Sequence, residues 1–133
     1  MLYEFLTGNV LFQVSGLTDI PQEEIDDDHL LQMIDTLGQP PSDIFAKWPR
    51  RAKYFDENLK LVRSDVSSSD VTDGEPFQGP SLEEAFEESS PEGMEAEERA
   101  HVLSLSRSLL QYQPDLRPST AELLDHEWFQ SIE

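Results

Sequence analysis

The amino-acid sequence predicts an all-α fold. Apolar residues recur at helical spacing in four segments, and glycine, proline or a capping serine marks the ends of most of them. No segment alternates apolar and polar residues as a half-buried strand does. The length of 133 residues fits a single domain with one modest core. A hydrophobic fraction of 37% with a net charge of -19 lies between globular and disordered compositions, so charge has to be mapped locally.

The first helix places Leu2, Phe5 and Leu6 on one face and stops at Thr7-Gly8. Nothing caps its start, and a segment this short is well under the roughly 12 to 15 residues that an isolated helix needs in water. The second helix is capped by Asp27 or Asp28, carries Leu30, Leu31, Met33, Ile34 and Leu37 on one arc, and ends at Gly38-Gln39-Pro40-Pro41. Its other face holds Asp28 and Asp35, seven residues and therefore two turns apart. Spacing alone is satisfied by a solvated face with an N-cap aspartate.

Residues 42–63 mix Phe45, Trp48, Tyr54 and Phe55 with Lys47, Arg50, Arg51 and Lys53, which predicts short irregular helical pieces around a small satellite core. From Ser64 to Gly93 the chain turns to Ser, Asp, Glu, Gly and Pro, a composition that predicts mobility. One exception is Ser81-Leu82-Glu83-Glu84, a capping-box spacing that opens a short helix with Leu82, Ala85 and Phe86 inward. A third long helix spans about Glu95 to Gln111 with Val102, Leu103, Leu105, Leu109 and Leu110 on one arc. A second capping box, Ser119-Thr120-Ala121-Glu122, starts the last helix, whose end carries Leu123, Leu124, Trp128 and Phe129.

Several function classes are excluded on composition. A field this negative repels a phosphate backbone, so nucleic acid is not expected as a direct partner and basic ligands are. Cysteine is absent, which removes disulfides, thiolate nucleophiles and cysteine-ligated zinc. The eight glutamates between Glu83 and Glu98 read as a solvated run, since no Asp-x-Asp-x-Asp-Gly loop gathers oxygens for a cation. His29, His101 and His126 stand alone and read as structural. No apolar run approaches the roughly 18 residues of a membrane helix, and no basic leader precedes one. An intracellular chain, in cytoplasm and/or nucleus and without a membrane partner, is expected.

Three motifs in order carry a resemblance. Leu2-Tyr3-Glu4-Phe5-Leu6-Thr7-Gly8-Asn9-Val10-Leu11-Phe12 looks like the end of the central helix of a protein-kinase C-lobe and the loop after it. Asp26-Asp27-Asp28-His29-Leu30 through Ile34-Asp35-Thr36-Leu37-Gly38 is similar to the following helix of the SR-protein kinases. Pro114-Asp115-Leu116-Arg117-Pro118-Ser119 with Glu122-Leu123-Leu124-Asp125-His126-Glu127-Trp128-Phe129 is similar to the closing helix, Glu127 replacing the usual proline. The chain thus resembles the C-terminal part of a serine/threonine protein kinase domain of that kind. The resemblance implies a partial C-lobe over 1–133, comprising the end of the central helix and the last three helices. It also implies a kinase-group insert over 42–93, with 64–93 mostly disordered.

The resemblance implies further that ATP and magnesium belong to the parent enzyme, which would phosphorylate serine in Arg/Ser-rich proteins. The glycine-rich loop, strand lysine, His-Arg-Asp loop and Asp-Phe-Gly site are not in this sequence, and Asp73-Gly74 has no phenylalanine to match the last. No catalytic, cofactor-binding or metal residue is therefore expected here. In the related kinases the helix after the central one and the insert form an acidic docking groove for arginine-rich substrates, which assigns docking to Asp28 and Asp35 on that helix. Arg117 takes a structural role, corresponding to an arginine that pairs with an upstream glutamate; the alternative is an exposed arginine bonding Asp115. The expected partners are Arg/Ser-rich or other basic segments, with self-association through exposed apolar faces. The competing class is a noncatalytic acidic interaction module or pseudokinase remnant.

Overall fold

The computed structural model describes residues 2–13, 16, 18–62 and 78–130. Among them are seven α-helices: α1 (Leu2–Thr7), α2 (Gln22–Leu37), α3 (Ser42–Phe45), α4 (Leu82–Ser89), α5 (Ala96–Leu109), α6 (Thr120–Leu124) and α7 (Glu127–Gln130). Two 3-10 turns, Arg51–Lys53 and Pro114–Leu116, complete the set, and the described residues pair as strands only at one isolated bridge between Phe55 and Leu61. The all-α expectation holds. No described helix is long and apolar enough to cross a membrane.

Two apolar clusters build the core. The first gathers Leu31 of α2 with Phe45, Trp48, Tyr54 and Phe55, so the aromatic segment expected as a satellite is one of the two main centres. Trp48 stacks on Tyr54 at 5.4 Å while Phe45 and Phe55 meet it edge-on, arrangements that ring quadrupoles favour. The second cluster joins Tyr3 of α1, Leu82 and Phe86 of α4 and Val102 of α5, with Trp128 packed against it. Arg107 of α5 ties the two halves, donating to the Leu37 carbonyl at 3.0 Å and forking onto Glu83 at 2.9 and 2.6 Å. Tyr112 adds a hydrogen bond to the Gly38 carbonyl at 2.7 Å. Burial pushes the Tyr112 phenol up to about 12, which keeps it a donor.

Helix ends follow local chemistry. Gly8 and Gly38 sit at φ +73° and +88° directly after α1 and α2, where a Cβ would be strained. Both capping boxes form: the Ser81 and Ser119 hydroxyls accept from the N–H of Glu84 and Glu122, whose carboxylates reach back to the serine N–H.

Several expectations are corrected. α2 starts at Gln22 behind Pro21, so Asp27 and Asp28 lie inside the helix and neither caps it. Asp27 is instead 2% exposed, the most buried charged group among the described residues. Its Oδ1 accepts from Trp48 Nε1 at 2.7 Å, and its Oδ2 takes the Tyr54 hydroxyl at 2.8 Å and Arg50 Nε at 2.7 Å. On α1 Leu6 packs against the core as expected, but the buried residue is Tyr3, whose hydroxyl donates to the Ala85 carbonyl at 3.0 Å, and Phe5 stands 87% exposed. The helix expected at the Ser81 capping box does form, as α4 with Leu82 and Phe86 fully buried; residues 64–77, with Ser67-Ser68-Ser69, lie outside the described residues. The glutamate run is partly engaged, Glu83 by Arg107 and Glu87 by Arg99. The last helix breaks at Asp125-His126 into α6 and α7, which leaves Leu124 and Phe129 exposed.

Removing one partner of a buried, hydrogen-bonded charge pair costs about 3 kcal/mol or more, because the other charge is left without compensation. Urea titration should therefore show Asp27→Ala as far more damaging than Trp48→Phe, which deletes one donor and keeps the ring. Equal losses would mean that Asp27 matters only by its volume.

The serine N–H and hydroxyl groups hold the Glu84 and Glu122 carboxyls below their ordinary value of 4.5. A folded value below the unfolded one contributes stability that is complete above the unfolded value and is lost as pH falls through the folded one. Helicity followed from about pH 7 to about pH 3 should decline on the acid side of 4.5, less steeply in Glu84→Gln/Glu122→Gln, where the cap acceptor remains but cannot titrate. Identical acid profiles would contradict the assignment.

Candidate docking groove

The face of α2 that turns away from Asp27 carries Asp28, Gln32 and Asp35 in a row, as helical periodicity requires for positions three and four apart. Gln32 fixes the row. Its amide nitrogen donates to Asp28 Oδ2 at 2.7 Å and to the Gln13 carbonyl at 2.7 Å, and its oxygen accepts from the Gln13 N–H at 2.8 Å. The loop after α1 is thereby held against the helix, a contact that the Phe12–His29 ring pair at 5.7 Å reinforces.

Across the row stands the segment that enters α4. The Gly79 N–H donates to Asp35 Oδ2 at 3.0 Å, and a Cβ at Gly79 would come within 3.1 Å of that oxygen, so glycine allows the backbone to approach. Asp28, Gln32 and Asp35 share a cavity of about 390 Å³ with Tyr3, Gly79 and Glu88. A neighbouring cavity continues from Asp35 past Ser81 to Glu84 and Glu88. Neither is lined by any Lys, Arg or His among the described residues. Carboxylates gathered on one cavity make a region of negative potential, which walls of low dielectric focus. Glu84 is partly committed to Ser81, and Glu83, one position away, turns to Arg107, whose hydrogen bonds hold its carboxyl below the ordinary range.

The geometry thus brings Asp28 and Asp35 together and leaves Arg117 elsewhere. Arg117 is exposed and donates from Nε to the Gln111 carbonyl at 2.8 Å, with no carboxylate at ion-pair distance among the described residues, Asp115 included. The histidines sit in packing contacts: His29 against Phe12, His101 near Glu127 at 3.4 Å, and His126 between Ser104 and the Trp128 N–H. Sequence reasoning does not single out Gly79 or Glu88, since Glu88 falls in the glutamate run read as solvated and Gly79 precedes the Ser81 capping box. The Ser81 capping box was the available signal, since it starts a helix on which Glu84 and Glu88 are one turn apart, away from Leu82 and Phe86. Among the described residues no group of three His, Cys, Asp or Glu side chains could hold a metal ion.

No family model matches the chain. The probable serine/threonine-protein kinase sky1 of Dictyostelium discoideum is 30% identical to it over 132 residues, a match covering 99% of this chain and 18% of that protein. The chain resembles part of a serine/threonine protein kinase. The all-helical architecture of this kinase-like chain is consistent with a portion of the C-terminal lobe of such an enzyme.

Proposed function

We propose that this chain is the docking portion of a serine/threonine protein kinase of the SR-protein-kinase kind, binding arginine-rich segments without itself binding ATP or transferring phosphate. The observation that supports this reading is the groove in which Asp28, Asp35 and Glu88 line one cavity. A guanidinium forks onto a carboxylate with two hydrogen bonds, and Asp28 and Asp35 lie about 10 Å apart along α2. In an extended peptide alternate side chains point the same way, about 7 Å apart, so an Arg-Ser repeat presents all its arginines to one wall. Long arginine stems absorb the remaining mismatch in spacing. Phe5, Leu116 and Leu124, more than half exposed, are the surfaces through which the chain would self-associate.

The test is a titration of an Arg-Ser repeat peptide against the chain and against Asp28→Asn/Asp35→Asn. The double variant should bind about tenfold more weakly or worse, and raising salt from about 0.01 M to about 0.15 M should weaken the native chain's binding steeply. Equal affinity in chain and variant removes the docking assignment. A Lys-Ser peptide distinguishes the competing class. It should bind less well if bidentate arginine recognition operates, and equal affinity would favour a general acidic module for basic partners.

A further inference from the structure

A second cavity, of about 720 Å³, shares no lining residue with the Asp28–Asp35 groove. It opens between the first turns of α2 and the segment from Ile44 to Arg50, with Leu30, Ile44, Trp48 and Pro49 as apolar surface. Its size is that of a site for a compact ligand or a few peptide side chains. The apolar surface is fixed before any ligand arrives, because Trp48 is held by its bond to Asp27 and by stacking on Tyr54. Binding there would cost little side-chain ordering.

The charges around the cavity are divided. Arg50 is committed to Asp27 and Glu23. Glu23 and Asp26 stand exposed on the α2 wall, whereas Lys47 stands exposed on the other and has no carboxylate partner among the described residues. An occupant complementary to this pattern has an apolar anchor with positive charge on one side and negative charge on the other. An Arg-Ser repeat has neither the anchor nor the acid.

We propose that this cleft docks a short segment of a partner protein in which an aromatic or branched apolar side chain stands between a basic and an acidic residue. The anchor fills the space over Trp48, the basic residue meets Glu23 and Asp26, and the acidic residue meets Lys47. This assignment is independent of arginine-rich docking in the other groove, and each stands or falls alone.

The test is a titration of the full, nitrogen-15-labelled chain with the peptide Gly-Arg-Gly-Phe-Gly-Asp-Gly, following the indole N–H resonances of Trp48 and Trp128. The expected result is a saturable shift at Trp48 with Trp128 unmoved. Replacing the peptide's phenylalanine by serine should abolish it. Lys47→Glu, at an exposed position, should weaken binding about tenfold, and Gly-Arg-Gly-Phe-Gly-Arg-Gly should recover the loss in that variant. The proposal is overturned by a Trp48 signal that does not move at millimolar peptide, or by equal binding of the serine peptide. Loss of affinity without recovery overturns the charge assignment. A Trp48 shift that follows protein concentration without peptide overturns the partner assignment in favour of a second copy of the chain.

Discussion

The buried carboxylate of Asp27 is the constraint on which the rest of the architecture depends. An isolated anion in an apolar interior is prohibitively costly, and Asp27 is tolerated there because Trp48, Tyr54 and Arg50 all bring donors to it. Those three residues belong to the irregular segment after α3, whose backbone hydrogen bonds are those of turns and one short 3-10 piece rather than of a long helix. Their convergence on one side chain of α2 gives the segment a fixed conformation and sets the rotation of the helix about its axis.

That rotation assigns the two sides of α2. With Asp27 and Leu31 inward, residues 28, 32 and 35 must face the α4 side, and residues 23 and 26 must border the cleft over Trp48. Arg107 then brings α4 and α5 to the end of the helix through Leu37 and Glu83, which positions Gly79 and Glu88 opposite Asp35. Packing energy and site geometry are therefore coupled: the interactions that hold the helix also decide which acids meet a ligand.

Much of this was legible in the sequence. Caps and glycine stops located the ends of α1 and α2 and the starts of α4 and α6 because they are local devices, and the arcs of α2 and α5 named Leu31, Val102 and Leu105 as core because periodicity reports burial. Asp27 was misassigned for a physical reason. An aspartate near a helix start is equally a cap or an interior group, and its partners Trp48 and Tyr54 lie 21 and 27 residues away. The facing of α1 is only partly legible: Leu6 packs inward as expected, but six residues carry too little periodicity to show that Tyr3, with a carbonyl partner far along the chain, goes inward while Phe5 does not. The capping box at Ser81 and the anchors Leu82 and Phe86 made α4 legible, but composition obscured Gly79 before it and Glu88 within the glutamate run, because which acids face Asp35 is set by tertiary packing. Kinase resemblance, by contrast, rested on the order of motifs, and the match to the Dictyostelium kinase extends across the same span.

The central claim is that the Asp28–Asp35 face of α2 and the start of α4 together receive a cationic peptide. The Gly79 amide, bonded to Asp35 and part of the groove's wall, is its most direct reporter. Amide resonances of the chain mapped with and without a saturating Arg-Ser peptide should move most at Asp28, Gln32, Asp35 and Gly79. Movement confined to α6 and α7, with Gly79 unperturbed at saturation, would contradict the account.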